Sequence, residues 1–334
     1  MKILVVGLGS MGRRRLRNLR YLGVKQLAGV EPAPARRAEV AGEFGIPAFA
    51  TLPEGLAWEP EALVISTPPD QHVGYAIEAA RRGLPFFTEA GTAVARMDEL
   101  IATVRDSRSL GAPSCTLRFH SAVQLMRARL AEGAIGRPLF VTNDVGQYLP
   151  DWHPWEDYRS YYVAQRHTGA AREIIPFELN WLTSLFGPLA DFSCFRDKLS
   201  QLDVDIDDYY AALLRFQNGV QGTLVVDVIS RPALRRARIV GEEGTLEWDW
   251  NGRCMREWQV GNGSWIEHPD PQPIAGPGGE WVSENMYIEE MRGYLRAIDG
   301  REAWPLSLED DLALVETLDA FDAASQQPHR AAVS

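Results

Sequence analysis

Lysine and cysteine are both scarce in this chain of 334 residues, at three apiece. Cys115, Cys194 and Cys254 lie far apart and are odd in number. That excludes a disulfide framework or a zinc site built on paired cysteines, and suits a reducing compartment. Positive charge is also in deficit. A net charge of −11 removes the basic footprint that phosphate backbones need, so nucleic acid is not an expected partner. No apolar run approaches the length that spans a bilayer, so no membrane partner is expected. The first strand pattern begins at the second residue, leaving no room for a signal peptide, and a cytoplasmic protein is expected.

What is present is concentrated at the start. The apolar run Ile3-Leu4-Val5-Val6 leads into Gly7-Leu8-Gly9-Ser10-Met11-Gly12, and a second apolar run, Leu27-Ala28-Gly29-Val30, is closed by Glu31. Strand, glycine turn, helix, strand and terminal acid is the order that holds a dinucleotide. Gly7 permits the tight turn, Gly9 lets the backbone approach a pyrophosphate, and Gly12 lets the helix pack close to the strand. The helix start at Ser10 and Met11 offers free N–H groups and a partial positive charge to the phosphates. Glu31 would accept hydrogen bonds from the adenosine ribose. Its charge repels a 2′-phosphate and favours NAD, while Arg36 and Arg37, expected on the following helix, leave NADP open.

Strand and helix patterns alternate over residues 1–120, which predicts a doubly wound parallel sheet of the Rossmann type. Arg13, Arg14, Arg15, Arg17 and Arg20 read as a solvated face of the first helix, with a phosphate contact by one arginine as the alternative. Residues 121–334 form the second domain. There the spacing predicts helices over 123–132, 172–186, 285–298 and 308–324. Strands are expected over 138–145, 209–216, 220–229, 238–240, 245–250 and 255–260, in a large, mostly antiparallel sheet with hairpin turns at Asn218-Gly219 and Glu243-Gly244. The proline- and glycine-rich stretch 269–279 reads as a loop. No internal repeat is visible.

The order of these motifs resembles the glucose–fructose oxidoreductase, inositol dehydrogenase and rhizopine-catabolism (Gfo/Idh/MocA) family. The resemblance rests on the glycine fingerprint, on Ser66-Thr67-Pro68-Pro69-Asp70-Gln71-His72, on Glu89, and on residues 169–187 ending in Trp181-Leu182-Thr183-Ser184-Leu185-Phe186-Gly187. It covers nearly the whole chain. It implies a Rossmann domain followed by an α+β domain with an open sheet, NAD or NADP as cofactor, and hydride chemistry on a sugar, sugar derivative or cyclitol. It also implies a homodimer or homotetramer assembled through that sheet. Ser66, Thr67, Pro68, His72, Glu89, Ala90 and Arg118 would border the cofactor, though a cap or packing role for His72 and an interdomain salt bridge for Arg118 are open alternatives.

The reaction motifs depart from the family pattern. Where the family reads Glu-Lys-Pro, this chain has Glu89-Ala90-Gly91, and its lysines are Lys2, Lys25 and Lys198, none beside that triplet. The family's catalytic histidine aligns with Phe177, and its aspartate with Ile174 or Glu173. If hydride chemistry persists, another acid or base must handle the proton. The candidates are Glu173, His153, Tyr148 and His167, with Tyr161 and Tyr162 close by in sequence. Phe177, one turn from Glu173, would raise that carboxyl's pKa by desolvation; a first-turn acid favouring the helix dipole is the structural alternative. Tyr148, Trp152, Trp155, Tyr158, Tyr161 and Tyr162 form an aromatic segment suited to a sugar ring, or to a packed surface loop. A redox-neutral enzyme that retains NAD, or a non-catalytic nucleotide-binding protein, is the competing reading.

Overall fold

A computed structural model describes residues 1–91, 93–154, 156–261, 263–273, 275–276, 279–280 and 284–324. In chain order, the first half carries β1 (Lys2–Val6), α1 (Ser10–Tyr21), β2 (Gln26–Val30), α2 (Pro34–Phe44), β3 (Ala48–Phe49), α3 (Leu52–Leu56), β4 (Ala62–Ile65), α4 (His72–Arg81), β5 (Phe86–Thr88), α5 (Met97–Ser107) and β6 (Gly111–Pro113). Next come α6 (Ser121–Ala131), β7 (Pro138–Gly146), α7 (Ala170–Phe186), β8 (Leu189–Asp197), β9 (Tyr209–Phe216) and β10 (Gln221–Asp227). The remaining elements are β11 (Leu234–Gly241), β12 (Gly244–Asp249), β13 (Cys254–Gln259), β14 (Ser264–Pro269), α8 (Glu284–Ile298) and α9 (Leu308–Ala324). No helix among the described residues is long and apolar enough to cross a membrane.

Six strands pair in parallel in the order β3-β2-β1-β4-β5-β6. The pleat of β1 explains its unbroken apolar run. Ile3 and Val5 join Leu16, Leu19 and Phe44 on one face of the sheet, while Leu4 and Val6 join Ala76, Ile77 and Ala80 on the other. The second sheet has eight strands in the order β14-β13-β12-β11-β7-β10-β9-β8. It is antiparallel except where β10 pairs with β7. The fold class expected from the patterns is the one observed. Within the stretch read as a loop, Ala275–Gly276 pairs with Gly279–Glu280; residues 274, 277 and 278 lie outside the described residues.

By contact the chain forms two units, Met1–Phe119 with Pro273–Ala313, and His120–Gln272 with the chain from Leu314 onward. Placing all of 121–334 in the second domain is therefore corrected: residues 273–313 return to the nucleotide unit. The cause lies in α8. Its Met291 and Tyr294 are buried in the same cluster as Ile3 and Leu16, and the Tyr294 hydroxyl donates to the Leu63 carbonyl at 2.9 Å.

The solvated reading of α1 is corrected by the same helix. Arg15 has no exposed surface, and Arg14 stacks on Tyr287 at 4.4 Å and pairs with Glu284 at 3.2 Å. Arg13 bonds Glu39 and Glu43 of α2; Arg20 alone of the five is exposed.

Asp311, in the first turn of α9, is buried, and burial pushes its carboxyl up to about 7 against the nearby Arg118. A folded-state value above the unfolded one adds stability at low pH that is lost as pH rises from about 4 to about 7. Asp311→Asn should therefore gain roughly 2–4 kcal/mol relative to the parent at pH 8, and little at pH 4. Urea midpoints at the two pH values check this.

Candidate active site

In the nucleotide unit, the expected cofactor residues gather at the carboxyl ends of the parallel strands, where open α/β sheets bind ligands. Gly7 has φ +87°, and a Cβ there would lie 2.6 Å from the Ser66 carbonyl oxygen. A Cβ on Gly12 would lie 1.9 Å from the Gly7 oxygen. Both glycines are demanded by the turn itself. Gly9 differs: a Cβ there meets nothing within 4 Å, so the chain leaves that space open beside the N-terminus of α1. An open cradle at a helix start fits a pyrophosphate. Gly9→Ala should hence leave the urea midpoint within about 0.5 kcal/mol of the parent. The same variant should weaken NAD binding about tenfold or more, as read by calorimetry, because the new methyl fills the ligand's space.

Glu31 follows β2 with its side chain 5% exposed. It accepts the N–H groups of Leu8 at 3.1 Å and Ala33 at 3.0 Å, and Arg36 stands 3.5 Å away. Arg37 is turned to the backbone carbonyls of Glu31 and Pro32. After β4, Ser66 donates to Glu89, and Thr67 keeps a buried Oγ1 with no hydrogen-bond partner. Pro68 is exposed and leads into α4. His72 opens α4, with Nε2 2.8 Å from the Thr67 carbonyl oxygen. Burial holds its imidazole below the usual range. An orphaned hydroxyl and an open glycine at the strand ends are what a bound nucleotide would complete.

Glu89, at the end of β5, receives Arg15 through two bonds of 2.7 Å, and Arg15 Nη1 lies 2.9 Å from Glu290 of α8. Glu290 also accepts from Ser114, the Cys115 N–H and Thr116. Neither Arg15 nor Glu290 was singled out for this site. The signal for Glu290 was its place in the apolar stripe of Tyr287, Met291 and Tyr294 at helical spacing. Arg118 is held elsewhere: it donates to the Pro305 carbonyl at 2.6 Å and faces Asp311. Both partners belong to its own unit, so the interdomain salt bridge is not formed by these contacts.

In the second unit, α7 packs against β9 and β10 and presents Glu173 in its first turn. The Tyr162 hydroxyl donates to Glu173 at 3.0 Å. Tyr161 lies edge-on to Tyr162 at 5.7 Å and stacks on His153 at 5.4 Å, and His153 stands 3.5 Å from Glu156. Burial, with Glu156 and Glu173 nearby, pushes the Tyr161 phenol up to about 12, so it stays a donor. Glu173 and His153 are thus brought into one cluster. Tyr148 and His167 are not. The Arg231 guanidinium covers the Tyr148 ring at 3.6 Å, and His167 is an exposed loop residue whose carbonyl accepts from Arg172. Trp155 lies outside the described residues.

A second polar cluster escaped the sequence reading. Glu178 is fully buried and accepts from Asn143, Trp181 and Arg235. His120 sits between Trp248 and Trp250, its Nδ1 accepting the Ala122 N–H, and burial holds its imidazole down to about 4 despite Asp270. No group of side chains suited to a metal occurs among the described residues.

Residues 1–110 match the oxidoreductase family with an NAD-binding Rossmann fold, and residues 123–247 match the GFO/IDH/MocA C-terminal domain. The chain belongs to the Gfo/Idh/MocA family. It is an NAD-binding oxidoreductase. No curated protein matches it in sequence. Among solved structures, levoglucosan dehydrogenase with NADH and L-sorbose is similar at 18% identity and TM-score 0.85, covering 97% of this chain and 96% of that one. An oxidoreductase from Agrobacterium radiobacter, in complex with NAD+, L-tartaric acid and magnesium, is similar at 17% identity and TM-score 0.84 with the same coverage of 97% and 96%. The WlbA dehydrogenase from Bordetella pertussis, with NADH and UDP-GlcNAcA, is similar at 18% identity and TM-score 0.77, again over 97% and 96%. At these identities the likeness establishes the fold.

Proposed function

We propose that this protein oxidises a hydroxyl, or reduces the matching carbonyl, of a sugar, sugar derivative or cyclitol, with NAD as cofactor and Glu173 as the group that moves the proton. The observation carrying the reading is the bond from Tyr162 to Glu173 at the head of α7, inside a ring of aromatic and ionisable side chains. NAD supplies the hydride acceptor, and as NADH the donor. Gly7, Gly9, Ser10, Met11, Gly12, Ser66, Thr67, Pro68 and His72 would hold the dinucleotide, with Glu31 selecting it over NADP. In oxidation, the Glu173 carboxylate takes the substrate's hydroxyl proton; in reduction, the carboxylic acid returns it. Tyr162 orients the carboxylate, and the flat faces of Tyr161 and His153 suit the apolar face of a sugar ring.

The test is NADH absorbance followed against a panel of sugars and cyclitols. Reversible NADH formation or consumption with a panel member supports the reading. Conversion of a sugar with no net change in NADH, by protein that retains NAD through dialysis, would transfer the site to the redox-neutral class.

Assembly as a homodimer or homotetramer belongs to the same proposal. By register, Phe140, Phe195, Leu213 and Trp265 share the outer face of the eight-stranded sheet, and they are exposed by 38%, 62%, 63% and 39%. Apolar side chains spread along one sheet face suit a second copy of the chain. Light scattering that returns a monomer mass removes this part. A cytoplasmic location is proposed with it, and cell fractionation that finds the protein outside the cytoplasm removes that.

A further inference from the structure

We propose that the buried triad of Glu89, Arg15 and Glu290, with alanine rather than a cation at position 90, biases the nucleotide crevice toward NAD+ over NADH. The proposal rests on the nicotinamide end of the cofactor occupying the crevice at the carboxyl ends of β4 and β5.

Two carboxylates share one guanidinium. The Glu89 oxygens accept from Arg15 Nε and Nη2 and from the Ser66 hydroxyl. Glu290 accepts from Ser114, the Cys115 N–H and Thr116 and has Arg15 Nη1 at 2.9 Å, contacts that favour its charged form, while burial and the neighbouring Glu89 push its carboxyl above the usual range. With both carboxylates charged, the triad carries one negative charge in excess. Arg15 and the Glu290 side chain have no exposed surface, so water screens this charge poorly.

The neighbours do not cancel it. Arg14 is matched by Glu284 at 3.2 Å. Arg17 lies farther along α1, half-buried, with Glu43 as well as Glu284 acting on it. Asp70 is exposed and adds to the negative side. His72 is held neutral by burial. Glu31 lies at the end of β2, with Arg36 beside it. Position 90 lies two residues past the end of β5, and the sequence puts a methyl group there.

The pyridinium ring of NAD+ carries a positive charge that NADH lacks, so a fixed negative charge near it stabilises the oxidised form selectively. At an effective dielectric of about 20, one unit charge acting over roughly 10–15 Å changes the ratio of the two affinities by about six- to sixteenfold. A tenfold bias lowers the potential of the bound couple by about 30 mV. Bound NADH is then a stronger hydride donor than free NADH, which favours carbonyl reduction.

Calorimetric titration of NAD+ and NADH into the parent, Glu290→Gln, Ala90→Lys and the remote control Glu78→Gln, a half-buried α4 residue paired with Arg82, tests this. The ratio Kd(NAD+)/Kd(NADH) should rise about six- to sixteenfold in Glu290→Gln and in Ala90→Lys, and stay put in Glu78→Gln. Ratios within twofold of the parent in both crevice variants, with circular dichroism confirming the fold, overturn the proposal. So does an equal shift in Glu78→Gln. If Glu290→Gln does not fold, Ala90→Lys decides alone. A folded parent that binds neither nucleotide overturns the dinucleotide reading itself, an outcome distinct from a parent that binds both while the ratio stays fixed.

Discussion

Arg15→Met should lower the stability of the protein by about 3–5 kcal/mol, seen as a fall in the urea midpoint. Methionine fills much of the arginine's volume, so the loss is electrostatic rather than a cavity. Without the guanidinium, Glu89 and Glu290 become two buried carboxylates with no cation between them. Stacking on Phe87 at 4.6 Å and Tyr287 at 5.2 Å is lost as well. The cost belongs to the orphaned acids, so it should be largely recovered in the triple variant Arg15→Met, Glu89→Gln, Glu290→Gln. A triple variant no more stable than the single one would show that Arg15 acts through packing instead.

Glu173→Gln should reduce kcat by about 10²–10³-fold on the substrate the panel identifies, while calorimetry finds NAD affinity within twofold of the parent. Glutamine keeps the shape and still accepts from Tyr162, but it can neither take nor return a proton. Tyr162→Phe, which removes only the orienting bond, should cost about ten- to a hundredfold, in keeping with one hydrogen bond to a charged group of about 1.5–3 kcal/mol. His167→Ala should leave the rate unchanged, since that side chain is exposed and outside the cluster. An unchanged rate in Glu173→Gln would remove Glu173 from the mechanism.

The parts legible in sequence were those governed by local chemistry. The turn at Gly7, the helix from Ser10 and the acid at Glu31 follow from backbone sterics and strand termination, and all stand where the spacing put them. Strands with clean alternation, such as β9 and β10, were read within one or two residues. The two edge strands, β8 and β14, were missed. Only Cys194 of β8 is buried, and none of β14 is, so neither has the apolar alternation that marks a half-buried strand. Long-range pairing was the other blind spot. Arg15 meets Glu89 and Glu290 across 74 and 275 positions of sequence, and a run of arginines gives no sign of which one turns inward. The cluster around Glu173 was half visible: its members fall in one short segment, but only the chain path of that segment stacks His153 on Tyr161 and leaves His167 outside.

The return of residues 273–313 to the first unit has a bearing on inheritance as well as on folding. A gene fragment ending at codon 119 would encode all six parallel strands yet omit α8, the carboxylate that answers Arg15 and the tyrosine that seals the Leu63 carbonyl. Such a cassette would leave the Arg15 guanidinium without Glu290 and the Leu63 carbonyl without its donor, so this unit is encoded in two separated stretches of the gene.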